Sequence, residues 1–237
     1  KLTVGKNLAT ISSSVTIGEW DDVVLDNQQA GVVIPPAEYI DEYGINHGQG
    51  VNIDGVVWAP VNCGYHATDF QWGKLYQWGR KYGQGYDGSD AIAPVIAEGG
   101  VTLAEGQDPD NANTYFKGAG NDWLGESDDK LWNSGTEDAP VKTENDPCPD
   151  GWRIPEGGSD VTWGTALGVT IYKTCTFDKT NKGLQMGGLL GEDENIWYPA
   201  SGNIDHSTGK LARVSTAGIW WTVDLYKTGQ HYVSVIY

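Results

Sequence analysis

"GIWWTVDLYKTGQHYVSVIY", residues 218–237, closes the chain, and its reading decides the fold. Apolar and polar positions alternate on both sides of Lys227–Gln230, the pattern of two strands joined by a tight turn. In a strand from Gly218 to Asp224, Ile219, Trp221 and Val223 share one face, and Trp220, Thr222 and Asp224 share the other. In the returning strand, Gln230 to Tyr237, the faces are Val233, Val235 and Tyr237 against Tyr232, Ser234 and Ile236. One tryptophan of the pair should therefore point away from the core, although a hairpin with both tryptophans buried is the alternative. Trp220, Trp221, Asp224, Tyr226, Lys227, Gln230, His231 and Tyr232 gather around this hairpin. Rigid aromatics with adaptable polar neighbours make good binding surfaces, so these eight are the candidate ligand-contacting residues.

Working outward, further strand signals lie at Gly55–Asn62, Val169–Phe177, Leu184–Leu190 and Ile196–Ala200, separated by turns rich in Gly, Asn and Ser. Two short helices are predicted. Leu75, Trp78 and Tyr82 fall at spacings of three and four, giving a helix from about Lys74 to Tyr82 that Gly83 stops. Ser159 can cap a second, with Trp163 and Leu167 four apart. Two helices among mostly antiparallel strands and long loops make an α+β domain. Residues 1–25 alternate like one or two terminal strands, 26–54 pass through Pro35-Pro36 as a linker, and 55–237 form the main body.

Composition narrows the function. The 237 residues carry 15 Lys+Arg against 32 Asp+Glu, a formal charge of −17 that repels nucleic acid over most of the surface. Apolar runs such as "GVVIPP" are far too short to cross a bilayer, so no membrane span is expected, and an export signal would lie outside the chain. Eleven Trp and twelve Tyr beside three Phe and one Met suit polar-rimmed surfaces better than a helical core. Four scattered histidines lack zinc spacing, no nucleophile signature occurs, and no carboxylate pair stands out, so no enzyme and no catalytic residue is predicted. Asp108, Asp110, Asn111 and Asn113 offer hard oxygen donors that suit Ca²⁺, as do Asp122, Glu126, Asp128 and Asp129. The first cluster fails the EF-hand pattern, with Asn113 where the loop needs Gly and Ala119 where it needs Glu, and solvated acidic loops are the alternative.

"NDPCPDGWRIP", residues 145–155, is a stiff corner. Pro147 and Pro149 remove donors and fix φ, Gly151 allows a tight bend, and Trp152 anchors the turn by burial. Arg153 could instead receive an anionic ligand. Of three cysteines, Cys148 stands between the prolines, a place better suited to a bridge than to a mobile nucleophile; unpaired buried thiols are the other reading.

The blocks "WAPVNCGY" (58–65), "GKLYQWGRKYG" (73–83), "LWN" (131–133), "PVKTENDPCPDGWRIP" (140–155), "YPASGNIDHSTGKL" (198–211) and "AGIWWT" (217–222) resemble, in order, the Fibrobacter succinogenes major paralogous domain. That resemblance covers about Gly55–Tyr237. It implies a C-type lectin-like fold, a place among exported surface proteins of Bacteroidetes at the outer membrane, and ligand contacts from the carboxy-terminal region. The ligand would be a glycan or a surface protein. It also implies that the corner leads into a helix, with Trp152 in the core and Arg153 tying the turn to carbonyls or acids. The enzyme branch related to formylglycine generation needs a late cysteine pair, and no cysteine follows Cys175. A Cys63–Cys148 bond would close a long loop and stabilise by about 4 kcal/mol, leaving Cys175 as a buried free thiol. "GKNLATISSSVTIGEWDD" (5–22) resembles the closing strands of a fimbrillin-like β-sandwich, with Ile17, Trp20 and Asp22 as its end pattern. A fimbrial tip adhesin or lipoprotein ectodomain follows. A pilus subunit that joins other pilins by strand addition is the structural alternative.

Overall fold

Short runs of Val, Ile, Trp and Tyr between Gly-rich turns make short strands, and nearly every strand pairs with its neighbour in sequence. The computed structural model describes residues 37–53, 56–67, 72–85, 95–118, 122–136, 139–156, 175–187, 195–227 and 230–236. Strand β1 (Glu38–Ile40) pairs with β2 (Asn46–Gln49), β3 (Val51–Ile53) with β4 (Val56–Trp58), and β5 (Lys74–Leu75) with β6 (Gln84–Gly85), all antiparallel. Strands β7 (Val95–Glu98) and β8 (Thr114–Lys117) run parallel, with helix α1 (Leu103–Gly106) and a 3-10 turn at Pro109–Asn111 between them. Then come a three-stranded meander of β9 (Cys175–Asp178), β10 (Gly183–Gly187) and β11 (Asn195–Pro199), and a small pair of β12 (Asn203–Ile204) and β13 (Leu211–Ala212). The long closing hairpin is β14 (Gly218–Lys227) and β15 (Gln230–Ile236).

The described residues form an all-β architecture, which corrects the α+β, C-type lectin-like expectation. Among the described residues, helix is limited to α1 and the 3-10 turn. The predicted Lys74–Tyr82 helix is instead the hairpin of β5 and β6, because Gly79 sits at φ +82°, where an L-residue is disfavoured and a helix cannot continue. A Cβ at Gly79 would also lie 2.6 Å from Leu131 Cδ1. The spacing of Leu75, Trp78 and Tyr82 arises from a turn in which Trp78 is anchored in a core. The helix expected after Ser159 and the strands expected in 1–25 lie outside the described residues. Residues 37–53 of the expected linker form β1 to β3, with Tyr39 and Ile53 buried.

Two apolar cores result. The first is built by alternation: Leu184 and Met186 on β10 face the same way as their partners Tyr198 and Ile196 on β11, and Ile53 and Trp58 of the β3–β4 hairpin close over them. Each such side chain contributes about 1.5–3 kcal/mol by burial. The second joins Trp78, Phe116, Trp123, Leu131, Trp132, Ile154 and Val223, which come mostly from turns.

Strand β14 divides these cores. Trp220 packs on the first, while Trp221 and Val223 pack in the second and Thr222 is fully buried. The expectation that one tryptophan faces away from the core gives way to two partly buried tryptophans, each packed against a different core. Its register slips between Trp221 and Leu225, and within that bulge Val223 N–H donates to the Pro155 carbonyl (3.0 Å). The closing hairpin is thereby stitched to the proline corner.

Candidate functional site

A hollow of about 1120 Å³ lies where the two cores meet, and Trp220 and Trp221 form part of its wall. Local sequence explains how each is held. The Trp220 indole lies back over Gly218, where a Cβ would come within 1.7 Å of the ring, so only glycine permits that placement. Trp220 Nε1–H then donates to Asn62 Oδ1 (3.0 Å), and its ring tilts against Tyr198 at 6.2 Å. Trp221 Nε1–H donates to the Tyr76 carbonyl (2.8 Å), and its ring meets Trp132 edge-on at 6.2 Å. Two rotatable bonds per indole and a fixed N–H leave these aromatic faces pre-set.

Polar atoms of several elements converge on the same hollow. Asn62, whose amide donates to the Trp72 carbonyl (3.1 Å), presents its oxygen to Trp220. Asn203 on β12 uses its Nδ2–H on the Ile204 carbonyl (3.1 Å), and its buried Oδ1 meets no hydrogen-bond partner among the described residues. The Tyr39 hydroxyl is likewise buried without a partner of good geometry, although the Cys63 sulfur lies beside it. Burial pushes the Tyr39 phenol far up, and does the same to Tyr198, so both stay neutral donors. An unsatisfied buried acceptor is costly unless a ligand or solvent meets it.

The proline corner forms another part of the wall. Asp146, only 2% exposed, is its keystone: its carboxylate accepts from Cys148 N–H (2.8 Å), Ile154 N–H (3.0 Å) and Lys142 Nζ (2.7 Å). Gly151 takes φ +80°, as the expected bend requires. Trp152 is half-buried rather than in a core, and its Nε1–H donates to the Glu38 carbonyl (3.1 Å). Arg153 donates to the Ile154 carbonyl (3.0 Å) and to Glu156 (2.6 Å), so the guanidinium proposed for an anion is engaged within the corner.

Cys63 and Cys148 face each other here as thiols, with no bond between them. Cys63 Sγ is 3.3 Å from the Tyr76 hydroxyl and 3.3 Å from the Pro147 carbonyl. The hydrogen bond from Cys148, helped by Tyr76, holds the Cys63 thiol below its usual range against the effect of burial. The same bond, with burial, pushes Cys148 well above its own. Cys175 is paired through β9 with Met186 of β10.

Of the eight hairpin residues predicted to touch a ligand, Trp220 and Trp221 reach the hollow. For Asp224, Tyr226, Lys227, Gln230, His231 and Tyr232 the backbone alone is described, in β14 and β15. The candidate calcium donors are engaged locally: Asp108 Oδ1 caps Asp110 N–H (2.9 Å) and Asn111 Nδ2–H donates to the Glu105 carbonyl (2.9 Å). In the second acidic stretch, Asp122 accepts from Leu124 N–H and Ser127, and Asp128 from Lys130 N–H. Among the described residues, no group of three or more His, Cys, Asp or Glu is placed to hold a metal. None of their helices is long and apolar enough to cross a membrane.

Tyr39, Asn62 and Asn203 were not legible as site residues. Asn62 and Asn203 do fall inside the blocks "WAPVNCGY" and "YPASGNIDHSTGKL", each beside small residues and turns, whereas Tyr39 lay in the expected linker. No family model, curated protein or solved structure matches the chain.

Proposed function

We propose that this protein is a non-catalytic recognition module displayed on a cell surface, and that it takes a glycan into the aromatic hollow between its cores. One observation carries the reading: the hollow combines fixed indole faces with the polar residues Tyr39, Asn62 and Asn203 in the same wall. Sugars present an apolar face for stacking and hydroxyls that both donate and accept, so they complement such a surface. At about 1120 Å³ the hollow is of the size that encloses a small ligand, with room for more than one ring. A protein partner would instead ask for a broad face of about 800 Å². The strong negative charge favours a neutral or basic ligand over a phosphate or sulfate-bearing one. Surface display is supported by the resemblance of its six sequence blocks to exported surface proteins, and fimbrial display by the resemblance of residues 5–22 to the end of a fimbrillin-like β-sandwich.

The test is a glycan array followed by titration calorimetry on any hit. Asn203→Ala should weaken binding about tenfold while lowering the thermal unfolding midpoint only slightly, since the one bond it removes, Nδ2–H to the Ile204 carbonyl, is to the adjacent residue. Silence across neutral oligosaccharides, or binding unaffected by Asn203→Ala, would count against the reading.

A further inference from the structure

The hollow between the cores and a second one, of about 360 Å³, share four wall residues: Tyr39, Cys63, Tyr76 and Cys148. The thiol pair therefore stands in the partition between two spaces. It also joins segments that are far apart in sequence. Cys63 belongs to the loop after β4, whose carbonyl accepts from Lys74 N–H (3.0 Å) and whose neighbour Asn62 holds the Trp220 indole. Cys148 belongs to the corner keyed by Asp146. We propose that Cys63 and Cys148 form a reversible disulfide clasp, closed under oxidising conditions, which pins the Asn62–Gly64 loop and with it the Trp220 wall of the ligand hollow. The control of ligand access rests on the glycan reading above; formation of the bond does not.

The exchange runs with Cys63, whose sulfur lies 3.3 Å from the Tyr76 hydroxyl, as the first attacker, and its balance is the same if Cys148 attacks first. With glutathione disulfide as the oxidant, Cys63 displaces one glutathione thiolate, which takes up a proton, and forms a mixed disulfide. Cys148 then loses its proton and attacks the Cys63 sulfur, releasing the second glutathione. Two protein thiols are oxidised to one disulfide, and one glutathione disulfide is reduced to two thiols.

The experiment equilibrates the unmodified protein in glutathione buffers from reducing to oxidising, maps the peptides by mass, and compares amide exchange at the two extremes. A Cys63–Cys148 link with loss of two hydrogens is expected, absent from Cys63→Ser and from Cys148→Ser. Amides of residues 62–64 and of Asp146 and Cys148 should exchange about tenfold more slowly in the oxidised protein. Both thiols remaining alkylatable in oxidising buffer, or a link that runs through Cys175, would overturn the bond. A bond that forms with no change in exchange at Asn62–Gly64 would overturn the clasp. Neither readout uses a glycan, so failure here and failure of the glycan reading are separately visible.

Discussion

The two cores of this protein are held together by different physics. In the first, Leu184, Met186, Ile196 and Tyr198 come from paired strands at alternate positions, and their backbones are satisfied by the ladders themselves. In the second, most residues come from turns, so backbone carbonyls must find side-chain donors. Arg80, 1% exposed, supplies three of them: Nε–H to Gly106 (2.8 Å), Nη1–H to Thr114 (2.7 Å) and Nη2–H to Asn111 (2.9 Å), with the guanidinium stacked 4.9 Å over Phe116. Trp123 and Trp132 donate to the carbonyls of Trp78 (2.6 Å) and Arg80 (3.2 Å), and Gln77 both donates to and accepts from the Phe116 backbone. Burial brings the Arg80 guanidinium down to about 10, still charged at neutral pH. A sheet core can be written in apolar residues alone, whereas a core made of turns needs polar braces inside it.

That contrast can be broken most directly by comparing Arg80→Met with Met186→Ala. The first strands three buried carbonyls and should cost about 3–5 kcal/mol in urea denaturation, with loss of protection concentrated at Gly106–Thr114. The second leaves a cavity in a satisfied sheet and should cost about 2–4 kcal/mol, spread over β10 and β11. An Arg80→Met penalty well under that of Met186→Ala would erase the distinction. A smaller effect sharpens it at the dividing strand. Trp220→Phe keeps a ring against the first core but loses the bond to Asn62, and should cost about 1 kcal/mol with a reduced affinity for any array hit.

The smallest effect concerns Asp41, beside the β1–β2 pair. Burial raises its carboxyl, but the hydrogen bonds from His47 (2.7 Å) and from the Ile45 and Tyr43 amides outweigh that and hold it below its ordinary value of 3.8. A depressed carboxylate stabilises the fold above the unfolded value and loses that contribution as pH falls through the folded one. Exchange at Ile45 N–H should therefore accelerate below pH 3.8 and do so earlier in His47→Ala; an unchanged acid profile in that variant would remove the ion pair from the account.

The legibility of the fold followed the same division. Strands β10, β11, β14 and β15 were readable because period-two alternation is a property of neighbouring residues. The second core was not: Leu75, Trp78 and Tyr82 mimic a helix, and nothing in their spacing reveals that Gly79 turns the chain back. The corner at 145–155 announced its stiffness through Pro147, Pro149 and Gly151, yet Asp146 became its anchor only when the folded chain shut it away from water beside the part-exposed Lys142. The site divided likewise, with Trp220 and Trp221 conspicuous and Tyr39, Asn62 and Asn203 recognisable only by where they converge.

Residue order alone determined that this chain would be rich in strands, strongly acidic and closed by a tryptophan-bearing hairpin, because composition and alternation act locally. The tertiary structure decided that the two tryptophans of that hairpin pack against different cores, that Cys63 meets Cys148, and that a hollow opens between the cores. Those outcomes depend on contacts between residues far apart in sequence, and such contacts exist only once the chain has closed on itself.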